Sequence, residues 1–234
     1  MVETVFKKNP LVQVGVQLHT LKPSHPAIEY VKSRQIPEKA YSCIWYIENT
    51  RNILAIAPEK YLQQDKALPL GKEPRLLFPL YNTTGLLTGV AMRAIGPSSL
   101  RYINMKFVED EPLIFGLDRI DSTKPVVIVE GAIDSLFLDN ALAVNGVGFN
   151  KLQELKLPDA TFVFDNQPRN REVVREISRY VSSGAKLCIW PSNIHEKDIN
   201  EMIVSGINVS EIITQNTYQG LTAQIHFAKW RKIQ

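Results

Sequence analysis

The sequence predicts an α/β protein in two parts. A strand-rich α+β N-terminal subdomain (1–122) is followed by a parallel-sheet βαβ subdomain (123–206), and 207–234 forms a C-terminal extension. Three observations predict this. Residues 126–129, Val-Val-Ile-Val, are four consecutive branched apolar residues, the signature of a strand buried on both faces. From there to about residue 204, apolar strand patterns alternate with helical ones, as a parallel sheet with crossovers requires. Before Lys124-Pro125 the apolar segments are short and separated by turn residues, which suits antiparallel pairing.

Composition bounds the rest. A chain of 234 residues can bury a real core. No apolar run approaches the roughly 20 residues of a membrane span, so no membrane association is expected. The first residues lack the layout of a signal peptide. Cys43 and Cys188 are the two cysteines, too few for a Cys-rich zinc site. These features point to a reducing, cytoplasmic-type compartment. Net charge is only +3, but residues 51–106 hold eight basic against three acidic residues. That surplus suits a phosphate-tracking surface; the bland alternative is an ordinary solvated face.

The elements follow in order. Residues 1–22 read as a strand or arm. His25–Arg34 reads as a short helix with Ser24 as cap and Pro26 in the first turn. Residues 43–57 suggest two strands around Asn49-Thr-Arg-Asn52. Arg75–Tyr81 and Leu86–Arg93 flank Asn82-Thr-Thr-Gly85, a hairpin signal. Leu100–Phe107 adds a strand. Strand 126–130 leads into a helix over 132–142. A short strand near Ala143–Asn145 precedes Gly146-Val-Gly148 and a helix around Asn150–Leu155. Thr161–Asp165 is a strand. A helix runs from Pro168 to Ser183, with Val173, Val174, Ile177, Tyr180 and Val181 on one face and Gly184 as its C′ residue. Lys186–Trp190 is the next strand and Asp198–Val204 a short helix. The basic, aromatic tail His226–Gln234 reads as a helix or an arm.

Carboxylates and amides stand where the strands end. Glu130 closes one strand, Gly131 allows a tight turn, and Asp134 falls in the next helix's first turn. Asp165 and Gln167 close the second, and Asp198 and Asn200 follow the third. Oxygen ligands gathered at one sheet edge suit Mg²⁺ or Mn²⁺. Without a cation the carboxylates would repel one another. Each alone reads equally well as a solvated strand end; the ordered set is the signal.

Glu130-Gly131-x-x-Asp134, Asp165-x-Gln167 and Lys197-Asp198-Ile-Asn200-Glu201 resemble the Toprim domain shared by primases, topoisomerases and some nucleases. Upstream, Arg75-Leu-Leu-Phe-Pro-Leu80, Gly89-Val-Ala-Met-Arg93, Arg101-Tyr-Ile-Asn104 and Phe115-Gly-Leu117 come in the order found in the RNA polymerase core of DnaG-type primases, and Val147-Gly148 resembles its next turn. The resemblance covers roughly residues 25–205. It implies a Toprim-like second subdomain with Glu130 as general acid/base and Asp134, Asp165, Gln167, Asp198 and Asn200 around the divalent ions. It implies that Arg75, Arg93, Arg101, Asn104, Lys106 and Lys197 hold template and incoming nucleotide.

Two departures stand out. The family's Asp-x-Asp is Asp165-Asn-Gln167 here, and its Asp-Pro-Asp is Asp198-Ile-Asn200. Two carboxylates become amides, which weakens the expected metal site and suggests a phage-encoded member. With two cysteines, little chain before residue 25 and some 30 residues after Gly206, the expectation is a core without the family's zinc-binding module and C-terminal helicase-binding domain. The leading expectation is a minimal primase core that joins ribonucleoside triphosphates on single-stranded DNA, working with a replicative helicase or another replisome subunit. A Toprim nuclease or RNA-maturation enzyme is the second reading. The third is a catalytically weak nucleic-acid-binding subunit, which the amides at 167 and 200 favour.

Overall fold

The computed structural model describes residues 9–63, 70–145 and 159–233, together with Leu152, Leu155 and Leu157. The turn at Gly146–Gly148, most of the helix expected around Asn150–Leu155, and Lys66 of the basic set lie outside the described residues.

Five strands form an antiparallel sheet in sequence order: β1 (Val16–Gln17), β2 (Trp45–Ile47), β3 (Arg75–Tyr81), β4 (Leu87–Ala94) and β5 (Tyr102–Lys106). The hairpin between β3 and β4 turns at Gly85, whose φ of 78° is the left-handed conformation a side chain would resist. The second strand expected in 43–57 is instead a 3-10 segment, Thr50–Ala55. β2 already pairs with β1 on one side and β3 on the other, so no edge is open to it. The Asn49 side chain accepts from the Arg51 N–H and starts the turn, and Ile53 is buried beneath it.

The second sheet has the order β11-β10-β9-β7-β8-β6. Its centre is parallel: β10 (Lys186–Cys188), β9 (Thr161–Val163), β7 (Val127–Val129) and β8 (Ala141–Val144). An antiparallel strand closes each edge, β6 (Ile114–Phe115) on β8 and β11 (Thr217–Tyr218) on β10. The second sheet therefore recruits a strand from before residue 123 and another from beyond 206.

Among the described residues, six α-helices accompany the sheets. Helix α1 (Pro26–Ser33) is capped by His25, whose Nδ1 accepts from the Ala27 N–H, rather than by Ser24. Helix α2 (Ala132–Ser135) is far shorter than the expected 132–142. Asn140 explains the difference: it turns the chain at φ 47°, and its side chain binds the 121–125 loop by donating to the Asp121, Lys124 and Pro125 carbonyls and accepting from the Asp121 N–H. That tether ends the helix and starts β8. Helix α3 (Arg171–Ser182) begins after Asn170, which accepts from the Glu172 and Val173 N–H groups. Its buried residues are Val174, Ile177, Tyr180 and Val181, and Gly184 follows its end at φ 76°. Then come α4 (Ile199–Val204), α5 (Val209–Gln215) and α6 (Gly220–Trp230); His226–Trp230 of the tail ends that last helix, and the chain leaves it extended at Arg231.

One core joins the two sheets. Leu76, Phe78 and Leu80 project from β3 into a cluster with Ala27, Ile28 and Val31 of α1 and with Val129, Ala143, Val163 and Leu187 of the second sheet. Phe78 meets Phe115 edge to face at 5.5 Å. The alternate residue Leu77 packs on the opposite face with Trp45, Ile47, Val90 and Met92. This period-2 division lets β3 be buried on both sides although its sheet is antiparallel. Removing the Phe78 ring would cost about 3–5 kcal/mol, since both sheets lean on it.

Candidate active site at the acidic sheet edge

β7 and β9 are in register, Val129 opposite Val163, so Glu130 and Asp165 leave neighbouring parallel strands close together. The Asp165 N–H donates to Glu130 Oε1 at 3.1 Å. Asp134, one turn into α2, accepts at Oδ1 from the Asn200 N–H at 3.0 Å. Asp198 caps α4 by accepting from the Glu201 N–H at 2.8 Å. The structure thus brings Glu130, Asp134, Asp165 and Asp198 to one edge, the carboxyl end of the parallel strands. Gly131 is not in a left-handed conformation: its φ is −105°. A Cβ there would lie 2.5 Å from Asp134 Oδ2, so glycine makes room for the Asp134 carboxylate to fold back over the strand end.

The loops that carry these groups are sewn together by Asn166. Its N–H donates to the Lys197 carbonyl at 2.7 Å, and its side-chain amide donates to the carbonyls of Ile194 and Glu196. Trp230 of α6 donates its indole N–H to Asn166 Oδ1 at 2.9 Å. Sequence reasoning passed over Asn166 as the middle residue of Asp165-Asn-Gln167; an amide in that place was the only signal.

The edge is electrostatically loaded. Burial, then the charges of Asp198 and Asp165, push the Asp134 carboxyl up to about 8, against the partial relief of the Asn200 N–H. Asp165 is raised by burial and by Asp198, while Lys197, 3.5 Å away, pulls it down. Glu130 reaches solvent, yet the packed strand ends strip enough water from its carboxyl to raise its pKa, and Asp165 adds to the rise.

Both amides are held by protein hydrogen bonds, Asn200 buried and Gln167 half-buried. Asn200 is 3% exposed, accepts from Arg34 Nη1 at 3.0 Å and donates to the Arg34 carbonyl at 2.7 Å. Gln167 donates to Asp165 Oδ2 at 3.1 Å and accepts from the Asn170 side chain at 3.1 Å. Both were assigned to the metal set from the sequence, and in the structure their carbonyl oxygens already accept protein hydrogen bonds.

Arg75 is the clear correction to the basic set. Its side chain is 0% exposed and ion-pairs with Glu73 at 2.5 Å. It also donates to Ser98 Oγ and to the Leu100 carbonyl at 2.6 Å. A guanidinium so enclosed ties the β4–β5 loop down and has no face for template. Arg93 is 4% exposed, donates from Nε to the Tyr30 hydroxyl at 3.0 Å, and lies 4.4 Å from the Tyr102 ring centroid. Arg101 and Asn104 are exposed and Lys106 is half-buried.

Register places Arg93 opposite Tyr102, Ala91 opposite Asn104 and Gly89 opposite Lys106. These residues share the face of the first sheet that turns toward the second, since Ala91 belongs to the shared core. Tyr102, 55% exposed, is close enough to Asp134 for that charge to raise its hydroxyl pKa, after the larger effect of burial and against the pull of Arg93. Arg93 and Tyr102 therefore look across at the acidic edge. Tyr102, Tyr30 and Arg34 were missed as site residues, because their relevance depends on which neighbours the fold brings to them.

Among the described residues, no three His, Cys, Asp or Glu side chains converge as a ready-made metal cage. The donors nevertheless fit a hard cation. They are oxygen ligands in mutual electrostatic reach, with one carboxyl raised to about 8 and Lys197 as the single ion-paired cation among them. Mg²⁺ takes only one or two protein carboxylates and completes its shell with water and substrate phosphate. No helix among the described residues is long and apolar enough to cross a membrane.

No family model matches the chain. It is similar to a DNA primase of Enterobacteria phage T4, 31% identical over 226 residues, covering 93% of this chain and 64% of that primase. Its fold is that of DnaG-type primase catalytic cores. It resembles a DNA primase domain from Pseudomonas aeruginosa with a TM-score of 0.64 and 18% identity, over 92% of this chain and 78% of that one. It likewise resembles a DnaG primase catalytic domain bound to single-stranded DNA, with a TM-score of 0.61 and 15% identity, over 88% of this chain and 75% of that one.

Proposed function

We propose that this chain is the RNA-polymerase core of a DnaG-type primase, which makes short RNA primers on single-stranded DNA from ribonucleoside triphosphates. One observation carries the reading most of the way. Similarity to the phage primase runs through 93% of the chain, so it includes both the acidic edge and the Arg93–Tyr102 face opposite it.

The reaction joins the 3′ oxygen of the growing strand to the α-phosphorus of the incoming nucleotide. The bond from that phosphorus to the β-phosphate bridge breaks, and pyrophosphate leaves. Glu130 takes the 3′ hydroxyl proton. Its carboxylate is held by the Asp165 N–H, and its raised pKa brings it nearer to the working pH. Mg²⁺ or Mn²⁺, when bound, neutralises phosphate charge and polarises the reacting phosphorus. Asp134, Asp165 and Asp198 would hold the ion, while the Gln167 side chain and the Asn200 backbone N–H orient Asp165 and Asp134. Arg93, Arg101, Asn104 and Lys106 contact phosphates, with Lys197 beside Asp165 positioned to follow the triphosphate. A replicative helicase or another replisome subunit delivers the template.

A degenerate, strand-binding subunit is favoured by the two amides held by protein hydrogen bonds. Primer synthesis decides between them. Protein is mixed with mixed-sequence single-stranded DNA, labelled ribonucleotides and Mn²⁺ or Mg²⁺. Short labelled products are expected, falling at least about 10²-fold in Glu130→Gln. An intact, bound template with no product supports the degenerate subunit, and a shortened template supports a nuclease.

A further inference from the structure

Behind the acidic edge, across Gln167, lies a cavity of about 700 Å³ that the proposed chemistry does not use. Its walls come from four places: the loop before α3, the loop after β10, β11 and α6. Trp190, Ile189, Ile194 and Trp230 make its apolar surface. Tyr218 and His226 line it as a stacked pair, ring centroids 3.7 Å apart and planes 13° from parallel. Arg169, His195, Lys229 and Lys232 add basic groups, and no carboxylate lines the cavity among the described residues.

The bland explanation covers only part of this. Lys229 lies in the last turn of α6, where a cation offsets the helix dipole. Arg169 and His195 sit on other elements and gain nothing from that dipole. Arg169, Lys229 and Lys232 have no carboxylate partner among the described residues; other exposed cations such as Arg51 and Arg101 lack one too, but these three share one hollow. Cations from two segments gathered around one hollow, with no carboxylate partner among the described residues, leave a site short of negative charge. A free phosphate would meet that charge but would fill little of the volume, and it would not use the aromatic walls. A flat ring system carrying phosphates matches both features, and the volume is in the range of ligand sites.

We propose that this cavity binds a nucleotide unit, with the phosphates toward Arg169, Lys229 and Lys232 and the base against the aromatic wall. The ligand is a free nucleoside triphosphate or one residue of a single strand; the chemistry is the same. The site is separate from the acidic edge and needs no divalent ion, so it stands whether or not the chain makes primers.

Trp190 and Trp230 line the cavity and report on it directly. Intrinsic tryptophan fluorescence is titrated in EDTA with ATP, with a 5′-phosphorylated thymidine tetranucleotide and with pyrophosphate. Saturable quenching by ATP or the tetranucleotide is expected, and whichever binds tighter identifies the source. The midpoint should rise at least tenfold in Lys229→Glu/Lys232→Glu and stay unchanged in Glu130→Gln. Both lysines are exposed, and an unaltered circular dichroism melt confirms that the variant folds. No quenching by either nucleotide ligand overturns the proposal. So does an unchanged midpoint in the double variant, or pyrophosphate binding as tightly as the nucleotides.

Discussion

The two sheets treat charge in opposite ways. The antiparallel side carries the basic surplus and has satisfied part of it, leaving Arg101 exposed and Lys106 half-buried with no carboxylate partner among the described residues. Arg75 is buried against Glu73 and Lys60 is paired with Glu109, while Arg93, with the Tyr30 hydroxyl and the Tyr102 ring beside it, has no carboxylate partner among the described residues. The parallel sheet gathers its carboxylates at one edge and leaves them short of countercharge, with Lys197 near Asp165 as their ion-pair partner. A satisfied charge stabilises the fold and is no longer available for binding. An unsatisfied one costs stability and is available to a ligand. The acidic edge is thus where stability has been exchanged for function, and Arg75 of the basic set is architecture.

Three experiments break or sharpen that contrast. The largest expected effect is on Arg75, the most architectural cation. Arg75→Ala leaves Glu73 unpaired and frees the loop over Ser98–Arg101, and should cost about 3–5 kcal/mol in a urea melt. Arg101→Ala is its counterpart: no measurable change in the melt, but weaker single-strand binding with the salt slope reduced by about one. A stable Arg75→Ala variant would put Arg75 on the functional side of the comparison.

The next effect concerns the price of the acidic edge. Asp134 titrates near 8 in the folded chain against 3.8 ordinarily. A carboxyl raised on folding gives its full stabilising contribution below the unfolded value and loses it as pH rises through the folded one. The metal-free protein should therefore melt lower as pH goes from 6 to 9. Asp134→Asn should flatten that decline and raise Tm at pH 9, by about 2–4 °C for each kcal/mol recovered. Added Mn²⁺ should raise the Tm of the original protein more at pH 9 than at pH 6. Parallel pH curves for the two proteins would remove Asp134 as the strained group.

The smallest effect is at Asn200. Its side chain is committed to Arg34, so Asn200→Asp should gain an ion pair with the Arg34 guanidinium, lose the hydrogen bond to the Arg34 carbonyl, and leave the Mn²⁺ affinity within about threefold, read by calorimetry. A gain of tenfold or more, about 1.4 kcal/mol, would return position 200 to the metal shell.

The reach of the sequence can be judged residue by residue. The hairpin of β3 and β4, the parallel strands β7, β9 and β10, and the strand-end positions of Glu130 and Asp165 were all legible, because alternation, branched apolar runs and turn residues are local signals. Helix α2 was overestimated, because Asn140 ends it through bonds to a loop some 15–19 residues earlier in the chain. The apolar run 53–57 has strand-like composition, yet its first half belongs to the 3-10 segment Thr50–Ala55, because both edges of β2 were already taken.

What the sequence by itself determined was the alternation of elements and the order in which carboxylates and amides follow the strands. Those depend on neighbours within a few residues. Only the tertiary structure decided which arginines reach solvent and which amides have a free oxygen. Arg75 looks the same in sequence as Arg101, and it took the packing of Glu73, Ser98 and Leu100 around one of them to tell them apart. Asn200 meets Arg34 across 166 residues of chain. Burial and partnership are set by contacts between distant segments, and no local pattern carries them.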